Sequence, residues 1–291
     1  MIGLVGFGKM GAAIAARLGA SDAQVIAWDR DPARLRACAA SGSEAASGPK
    51  AVAAASDTVL SIVAEDGGAR WLWEGSDGFL KADLSGKLFI EMSTLQPMTV
   101  RSLAALAAGC GAAFVDSPVL GSIPTVRQGK LVALMGGSDV DVARARTVLA
   151  PLTQRVEHLG AVGAGAAMKL VINNMMGSHL QVLAESLMLG EAQGLPLARM
   201  LEVIGSSIVA TPWFLAKKSV LAGGADETTL DIRTLRKDII SAAATAALHG
   251  VPVPAASATA ASLSAAVAAG EGGNDIAALV AFLRRAMPQR W

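Results

Sequence analysis

The first eleven residues place a glycine-rich turn directly between a predicted strand and a predicted helix. An aliphatic run from Ile2 to Val5 is followed by Gly6, Gly8 and Gly11 in the spacing G-x-G-x-x-G, and "AAIAARLGA" continues as a helix. In such a turn the first glycine makes the bend, the second lets backbone approach a pyrophosphate, and the third lets the helix pack closely on the strand. The turn therefore predicts an α/β domain whose first helix points its N-terminus at a phosphate.

An acidic residue follows the second predicted strand at the distance that suits a dinucleotide. Asp29 lies about 20 residues beyond the turn, where a carboxylate can accept hydrogen bonds from an adenosine ribose. This position favours NAD as the cofactor. Arg30 is its neighbour and could instead meet the 2′-phosphate of NADP, so NADP stays open. FAD enzymes share this turn, methyltransferases have similar loops, and a turn that only packs a helix is the structural alternative.

Strand and helix patterns alternate through the first half of the chain. Asp31 and Pro32 supply an N-cap and a first helical position for a helix that ends near Gly42. The candidate strands after the first are 24–28, 58–63, 87–92, 112–116, 131–137 and 155–160. Such alternation predicts a Rossmann-type, doubly wound and largely parallel sheet.

The strand signal ends at residue 160, and the rest of the chain is predicted to be helical. A pattern from about 164 to 193 would span roughly 45 Å as one helix, which is too long for a compact first domain alone. The expected organisation is a dinucleotide-binding domain (1–162), an interdomain helix (163–193) and an all-α C-terminal domain (194–291).

Composition and charge exclude several classes of protein. The 291 residues carry a formal net charge of +1 and no run of basic residues, which argues against nucleic acid and anionic membranes as partners. Since no segment offers about 18 uninterrupted apolar residues, we expect no membrane span or signal peptide and a cytoplasmic location. The two cysteines and three histidines are dispersed, so we expect neither a disulfide nor a metal site.

One lysine stands in a stretch that is otherwise almost entirely apolar. Lys169 lies within "GAGAAMKLVINN", and Asn173 follows four residues later on the same helical face. Removing an ammonium from water is costly unless it has partners. The alternatives are a functional lysine and one whose stem crosses an apolar surface to reach water.

Five ordered motifs resemble those of one family. They are "GFGKMG", "EMSTLQP" (91–97), "DSPVLGS" (116–122), "GAVGAGAAMKLVINN" (160–174) and "LRKD" (235–238). In order and spacing they are similar to the β-hydroxyacid dehydrogenase family, which includes 3-hydroxyisobutyrate dehydrogenase, tartronate semialdehyde reductase and the glyoxylate/succinic semialdehyde reductases. The resemblance covers nearly the whole chain. It implies a Rossmann-type domain, a long interdomain helix, an all-α domain, and assembly as a homodimer or homotetramer.

The resemblance also implies roles for individual residues. Lys169 would be the acid/base and Asn173 its orienting partner. Partial burial and a second cation, Lys237, would lower the lysine pKa toward neutrality. The implied substrate-binding residues are Ser93, Gly121, Ser122 and Lys237, of which Gly121 and Ser122 would bind a carboxylate. The implied cofactor-binding residues are Gly6, Phe7, Gly8, Lys9, Met10, Gly11, Asp29, Arg30, Val63, Thr94 and Lys237.

The expected activity is hydride transfer between a nicotinamide cofactor and a small β-hydroxy acid or its carbonyl form. Ser122 stands where many family members have glycine, "IVAEDGG" (62–68) replaces an "LPN"-like stretch, and Leu230 replaces a frequent phenylalanine. These departures concern the substrate more than the reaction. The chain has no tyrosine, which excludes a short-chain dehydrogenase. An imine reductase, in which another residue usually replaces Lys169, and a non-catalytic dinucleotide-binding protein are the alternatives.

Overall fold

The computed structural model describes residues 1–224 and 228–285 and separates the chain into two compact units. The first comprises Met1–Leu170 and the second begins at Val171. The division falls inside one helix, α8 (Ala164–Ala192), which confirms the long helix predicted from the sequence. The domain limits after residues 162 and 193 stay a prediction.

A six-stranded parallel sheet forms the centre of the first unit. Its strands are β1 (Ile2–Val5), β2 (Val25–Trp28), β3 (Glu44–Ala45), β4 (Thr58–Ser61), β5 (Leu88–Glu91) and β6 (Ala113–Asp116), in the order β3-β2-β1-β4-β5-β6. The order reverses direction on either side of β1, which confirms the doubly wound sheet. Val5 pairs with both Trp28 and Ser61, so the carboxyl ends of the central strands lie at one edge. This edge is where such sheets place their ligands.

Helices cover both faces of this sheet. They include α1 (Lys9–Gly19), α2 (Pro32–Ala40), α3 (Pro49–Ala55), α4 (Asp66–Glu74) and α5 (Pro97–Gly109). Leu4 packs in the hydrophobic cluster on one face and Val5 in the cluster on the other, as expected for strands buried on both sides. Asp31 caps α2 by accepting the Ala33 N–H at 2.8 Å, which confirms the predicted N-cap.

The last strands of the first unit form a separate three-stranded sheet. It contains β7 (Val119–Leu120), β8 (Leu131–Met135) and β9 (Thr153–His158), with α6 (Ile123–Arg127) and α7 (Asp139–Leu149) between them. β7 and β8 are antiparallel, whereas β8 and β9 are parallel. A bridge between Asp116 and Gly136 connects this sheet to β6. Pro118 has no N–H to donate, so the break between β6 and β7 falls where the ladder loses a donor.

The second unit is helical. After the remainder of α8 come α9 (Leu197–Gly205), α10 (Pro212–Leu221), α11 (Ile232–Leu248), α12 (Pro254–Ala268) and α13 (Ala278–Arg285). Its core is aliphatic, with Leu180, Leu235 and Leu263 fully buried. Among the described residues, no helix combines the length and apolarity that a membrane crossing needs.

A buried ion pair connects three segments of the second unit. The Lys217 ammonium on α10 lies 3.1 Å from Oδ2 of Asp275. The same oxygen accepts the Thr229 N–H at 2.9 Å, and Oδ1 accepts the Ala277 N–H at 3.1 Å. Asp275 therefore holds together α10, the segment before α11 and the segment just before α13.

Candidate active site

Two glycines of the N-terminal turn are required by the fold itself. Gly6 has φ +97°, and a Cβ there would lie 2.0 Å from the Ile62 carbonyl oxygen. A Cβ on Gly11 would lie 1.9 Å from the Gly6 carbonyl oxygen. A larger side chain at Gly6 would push the turn away from the end of β4. A larger side chain at Gly11 would push α1 away from the turn.

Gly8 differs because the protein leaves the space in front of it open. A Cβ at Gly8 would meet only the guanidinium of Arg34, at 3.7 Å. The helix α1 begins at Lys9, so the unpaired N–H groups of its first turn face the same space. Phe7 is buried, Met10 is half-buried and Lys9 is exposed. This cradle fits a pyrophosphate, which needs close backbone and a helix N-terminus.

Asp29 holds the glycine turn against the end of β2. Its side chain is only 6% exposed. Oδ2 accepts the Phe7 N–H at 2.7 Å, and Oδ1 accepts the Asp31 N–H at 2.8 Å. Each carboxylate oxygen has a second lone pair that remains for a ribose hydroxyl. Arg30 is exposed.

The Arg34 guanidinium lies 3.7 Å from Oδ2 of Asp29 and also faces Gly8. Arg34 was not predicted from the sequence, because only the turn of α2 brings it back to the cradle. The sequence feature that could have identified Arg34 is its position in the first turn of α2, two residues after Pro32. Two arginines, Arg30 and Arg34, therefore stand near the carboxylate expected to bind ribose.

A buried glutamate joins the ends of β4 and β5. Glu91 is 1% exposed and accepts the Ser93 N–H at 2.9 Å and the Ser61 hydroxyl at 2.6 Å. Ser93 in turn accepts the Val63 N–H at 2.7 Å. Burial raises the pKa of Glu91, and the nearby Asp116 charge acts in the same direction.

This network gives Ser93 and Thr94 different positions in the site. Ser93 is 3% exposed, and its hydroxyl holds the backbone of Val63, whereas Thr94 is half-buried. The side chain of Ser93 thus fixes the loops that carry Val63 and Thr94. Glu91 was not predicted as a site residue, since the local sequence at the end of a strand does not show whether an acidic side chain is buried.

Asp116 is completely buried at the end of β6 and caps the start of α8. Oδ1 accepts the Gly163 N–H at 2.7 Å, and Oδ2 accepts the Ala166 N–H at 2.8 Å. Burial raises the pKa of Asp116 from 3.8 to about 6, while the hydrogen bonds from the helix N-terminus oppose the shift. Asp116 begins the "DSPVLGS" motif, whose pattern did not predict a separate role for it.

The raised pKa of Asp116 predicts a pH-dependent loss of stability. Because the folded protein holds this proton more tightly than the unfolded chain, the stabilisation is fully present below pH 3.8 and is lost as pH rises through about 6. The shift is worth about 3 kcal/mol at 1.36 kcal/mol per pKa unit. Denaturant titrations from pH 4 to 7 should show the unfolding free energy of wild type falling relative to that of Asp116→Asn. Parallel pH profiles would contradict the prediction.

Lys169 lies in the second turn of α8, half-buried, and its ammonium donates to the Val119 carbonyl at 2.9 Å. Gly121 follows with φ +138°, and a Cβ there would lie 2.6 Å from Leu131. Ser122 is the N-cap of α6, and its N–H donates to the Thr125 hydroxyl at 3.2 Å. The first unit thus brings Lys169 to the segment that also carries Gly121 and Ser122.

The second unit brings Asn173 and Lys237 to one carboxylate. Asn173 is 3% exposed, and its Nδ2 donates to Oδ2 of Asp238 at 2.6 Å. The Lys237 ammonium lies 2.8 Å from the other oxygen, Oδ1. Asp238, the last residue of the "LRKD" motif, is 1% exposed and orients both Asn173 and Lys237. Within residues 1–224 and 228–285, no group of three His, Cys, Asp or Glu residues is placed to hold a metal ion.

Two family models together match almost the whole chain. Residues 1–160 match the NAD-binding domain of 6-phosphogluconate dehydrogenase, and residues 163–283 match the NAD-binding domain of NADP-dependent 3-hydroxyisobutyrate dehydrogenase. With the open cradle at Gly8, these matches define a nicotinamide-dependent oxidoreductase. The chain belongs to the β-hydroxyacid dehydrogenase family, as its motifs predicted. Members of this family transfer hydride between NAD(P) and β-hydroxy acids.

Individual relatives agree with this assignment. The 2-(hydroxymethyl)glutarate dehydrogenase of Eubacterium barkeri is 34% identical over 71% of this chain and 68% of its own length. The glyoxylate/succinic semialdehyde reductase 2 of Arabidopsis thaliana is 27% identical over 98% of this chain and 80% of its own. The solved 3-hydroxyisobutyrate dehydrogenase of Mycobacterium tuberculosis, with L-serine, is 26% identical with a TM-score of 0.84, covering 97% of this chain and 98% of that one.

Proposed function

We propose that Lys169 is the acid/base of hydride transfer between NAD and a small β-hydroxy acid or its carbonyl form. The observation that carries the proposal is the Lys169 ammonium, half-buried and held 2.9 Å from the Val119 carbonyl. That carbonyl lies two residues before Gly121. A proton donor is thus fixed next to backbone that is suited to hold a substrate.

The chemistry requires a proton to move with the hydride. When bound, the nicotinamide supplies or accepts the hydride. Lys169 donates a proton to the carbonyl oxygen during reduction and accepts it from the hydroxyl during oxidation. Asn173, one helical turn further along α8, orients the lysine or the substrate hydroxyl without adding charge. Its bond to Asp238 supports a fixed orientation of its amide.

The proposed substrate is a small carboxylic acid. The backbone at Gly121 and the hydroxyl of Ser122 bind its carboxylate, and Lys237 supplies a cation that favours an anionic substrate or cofactor. Ser93 acts by fixing Thr94 beside the nicotinamide. The names of the relatives, which act on 2-(hydroxymethyl)glutarate, 3-hydroxyisobutyrate, glyoxylate and succinic semialdehyde, support this class of substrate.

A spectrophotometric panel tests the proposed activity. Purified protein is assayed at the nicotinamide absorbance with NAD or NADP against 3-hydroxyisobutyrate and 2-(hydroxymethyl)glutarate, and with NADH or NADPH against glyoxylate and succinic semialdehyde. We expect turnover of at least one acid. Turnover of a cyclic imine alone would favour the imine reductase alternative, and dinucleotide binding without any turnover would favour a non-catalytic protein.

The proposed cofactor is NAD, because Asp29 presents its carboxylate at the end of β2. The proposed contacts are Gly6, Phe7, Gly8, Lys9, Met10, Gly11, Asp29, Arg30, Val63, Thr94 and Lys237. The ratio of kcat/KM for NAD and NADP tests the choice. A preference for NADP would transfer the role of Asp29 to Arg30 and Arg34, whose charges suit a 2′-phosphate.

Gly8→Val is expected to abolish tight dinucleotide binding without unfolding the protein. The structure has room for a side chain at Gly8, but the pyrophosphate needs that room. We expect NAD affinity to fall at least about 100-fold, or about 2.7 kcal/mol, as measured by fluorescence titration. Gly109→Val, at an exposed helix end with nothing within 4 Å of the added Cβ, is the control. Wild-type NAD affinity in Gly8→Val would place the cofactor elsewhere.

We also propose that the chain assembles as a homodimer or homotetramer. On α8, Val171, Met175, Val182 and Leu189 are 53% to 67% exposed and recur at spacings of four and seven residues. That spacing places them on one face of a helix, as in helix pairs between subunits. Light scattering after gel filtration should give a multiple of 29.4 kDa, and Val182→Glu should lower it. A wild-type monomer would contradict the proposal.

A further inference from the structure

We propose that Asp116 is a positioning residue for Lys169: its carboxylate fixes the first turn of α8, so that the lysine ammonium stays at the Val119 carbonyl. The inference rests on the proposed role of Lys169. Asp116 itself touches neither substrate nor cofactor in this proposal. It acts through the helix that carries the lysine.

The Asp116 carboxylate is in close contact with the start of α8, and a glycine lies against each of its two oxygens. The carboxylate receives N–H groups from Gly163 and Ala166, one on each oxygen. A Cβ on Gly165 would lie 2.9 Å from Oδ2 and 2.1 Å from the Leu134 carbonyl. A Cβ on Gly136 would lie 2.5 Å from Oδ1. Glycine on both sides therefore lets the helix approach the carboxylate to hydrogen-bonding distance.

A second contact ties the same segment to Lys169. Val119 lies three residues after Asp116, and its carbonyl accepts the lysine ammonium. Lys169 lies three residues after Ala166, about one helical turn or 4.5 Å along the axis. The segment from Asp116 to Val119 thus holds α8 at two points one turn apart. A frayed or rotated first turn would move the ammonium away from Gly121 and Ser122.

Asp116 caps α8 in a different way from the residues that cap α7 and α10. Ser138 caps α7 and Thr211 caps α10 from the residue just before each helix, at exposed or partly buried sites. Asp116 comes from a strand 47 residues before Gly163 and is fully buried beside Glu91, its partner in strand register. Burying two carboxyl groups side by side is costly. In this protein the buried carboxylate of Asp116 fixes the start of α8 relative to β6.

Asp116→Asn tests the inference with little change of shape. An amide can accept only one of the two N–H groups, because its NH₂ faces the other donor. With the acid that gives the highest turnover in the panel, we expect kcat to fall roughly 10-fold or more, the scale of a small displacement of an acid/base. The KM for NAD should stay within about twofold, since the cradle lies at β1. Ser138→Ala removes a cap of about 1 kcal/mol from α7, a helix to which the proposal gives no part in holding Lys169, and should leave kcat unchanged.

A double-mutant cycle separates positioning from general damage. If Asp116 acts through Lys169, then Asp116→Asn will not lower the residual kcat of Lys169→Ala any further. Hydrogen exchange should also show faster exchange at residues 163–169 and unchanged exchange in β1 and β2. Additive losses in the cycle, or wild-type kcat in Asp116→Asn, would overturn the inference.

Failure of the proposed function gives a different result. Near-normal turnover of Lys169→Ala would remove the role of the lysine, whatever Asp116→Asn does. If Asp116→Asn does not fold, Asp116→Ser provides a smaller neutral acceptor for the same cycle. Wild-type kcat in Asp116→Ser would also overturn the inference.

Discussion

Lys169→Ala is expected to lower kcat by roughly 10²- to 10⁴-fold, the contribution of a positioned general acid/base. Alanine keeps the helix, because it has the highest helix propensity, but removes the only group that the proposal assigns to proton transfer. Binding of NAD should change little, since the glycine turn lies on another element. The decisive measurement is kcat for the best acid of the panel alongside the Kd for NAD.

Two further variants make the result specific. Lys169→Arg keeps the positive charge but cannot release its proton near neutral pH, so it should be nearly as inactive as the alanine variant. Lys50→Ala removes an exposed lysine from α3 and should retain wild-type kcat. Turnover of Lys169→Ala within a few-fold of wild type would refute the acid/base role.

Much of the fold could be predicted because its signals are local. The strands of the parallel sheet are aliphatic runs bounded by turns, and the long helix was predicted to within one residue at its end, Ala192. The break between β6 and β7 was not predicted. It depends on Pro118 and on the pairing of Asp116 with Gly136, a partner twenty residues away whose position the local pattern does not contain.

Some features of the candidate site could also be predicted from the local sequence, and others could not. The cradle at Gly8 and the neighbouring Asp29 follow from spacing along the chain. The hydrogen bonds that commit Asp29 to Phe7 and Ser93 to Val63 join positions 22 and 30 residues apart. Sequence spacing does not reveal such bonds, because they depend on which strands lie side by side.

Buried acids were the least predictable part of the site. Asp116, Glu91 and Asp238 are each at most 1% exposed, although acidic residues are almost never fully buried unless they are paired. In the sequence, Asp238 follows several charged residues, a pattern that is typical of a solvated helix face. Only the packing of α11 against α8, through Asn173, shows that it is buried.

Lys217→Met is expected to lower the free energy of unfolding by about 3 kcal/mol, the lower end of the range for breaking a buried ion pair. Methionine fills the space of the lysine stem but leaves the Asp275 carboxylate, 8% exposed, without the ammonium at 3.1 Å. The hydrogen bonds from Thr229 and Ala277 remain, so the site stays partly satisfied. Denaturant titration measures the change, and Lys218→Met, the next residue on α10, should change stability by no more than about 0.5 kcal/mol.

Neutralising the partner should restore part of this loss. Asp275→Asn keeps an oxygen that can accept the Thr229 or Ala277 N–H but removes the buried negative charge. In the double variant Lys217→Met/Asp275→Asn neither charge remains, so its unfolding free energy should exceed the value expected from adding the two single changes by about 0.5 to 3 kcal/mol. Strict additivity would mean that the two side chains stabilise the second unit independently. Coupling would show instead that the charge pair joins α10 to the segment between α12 and α13.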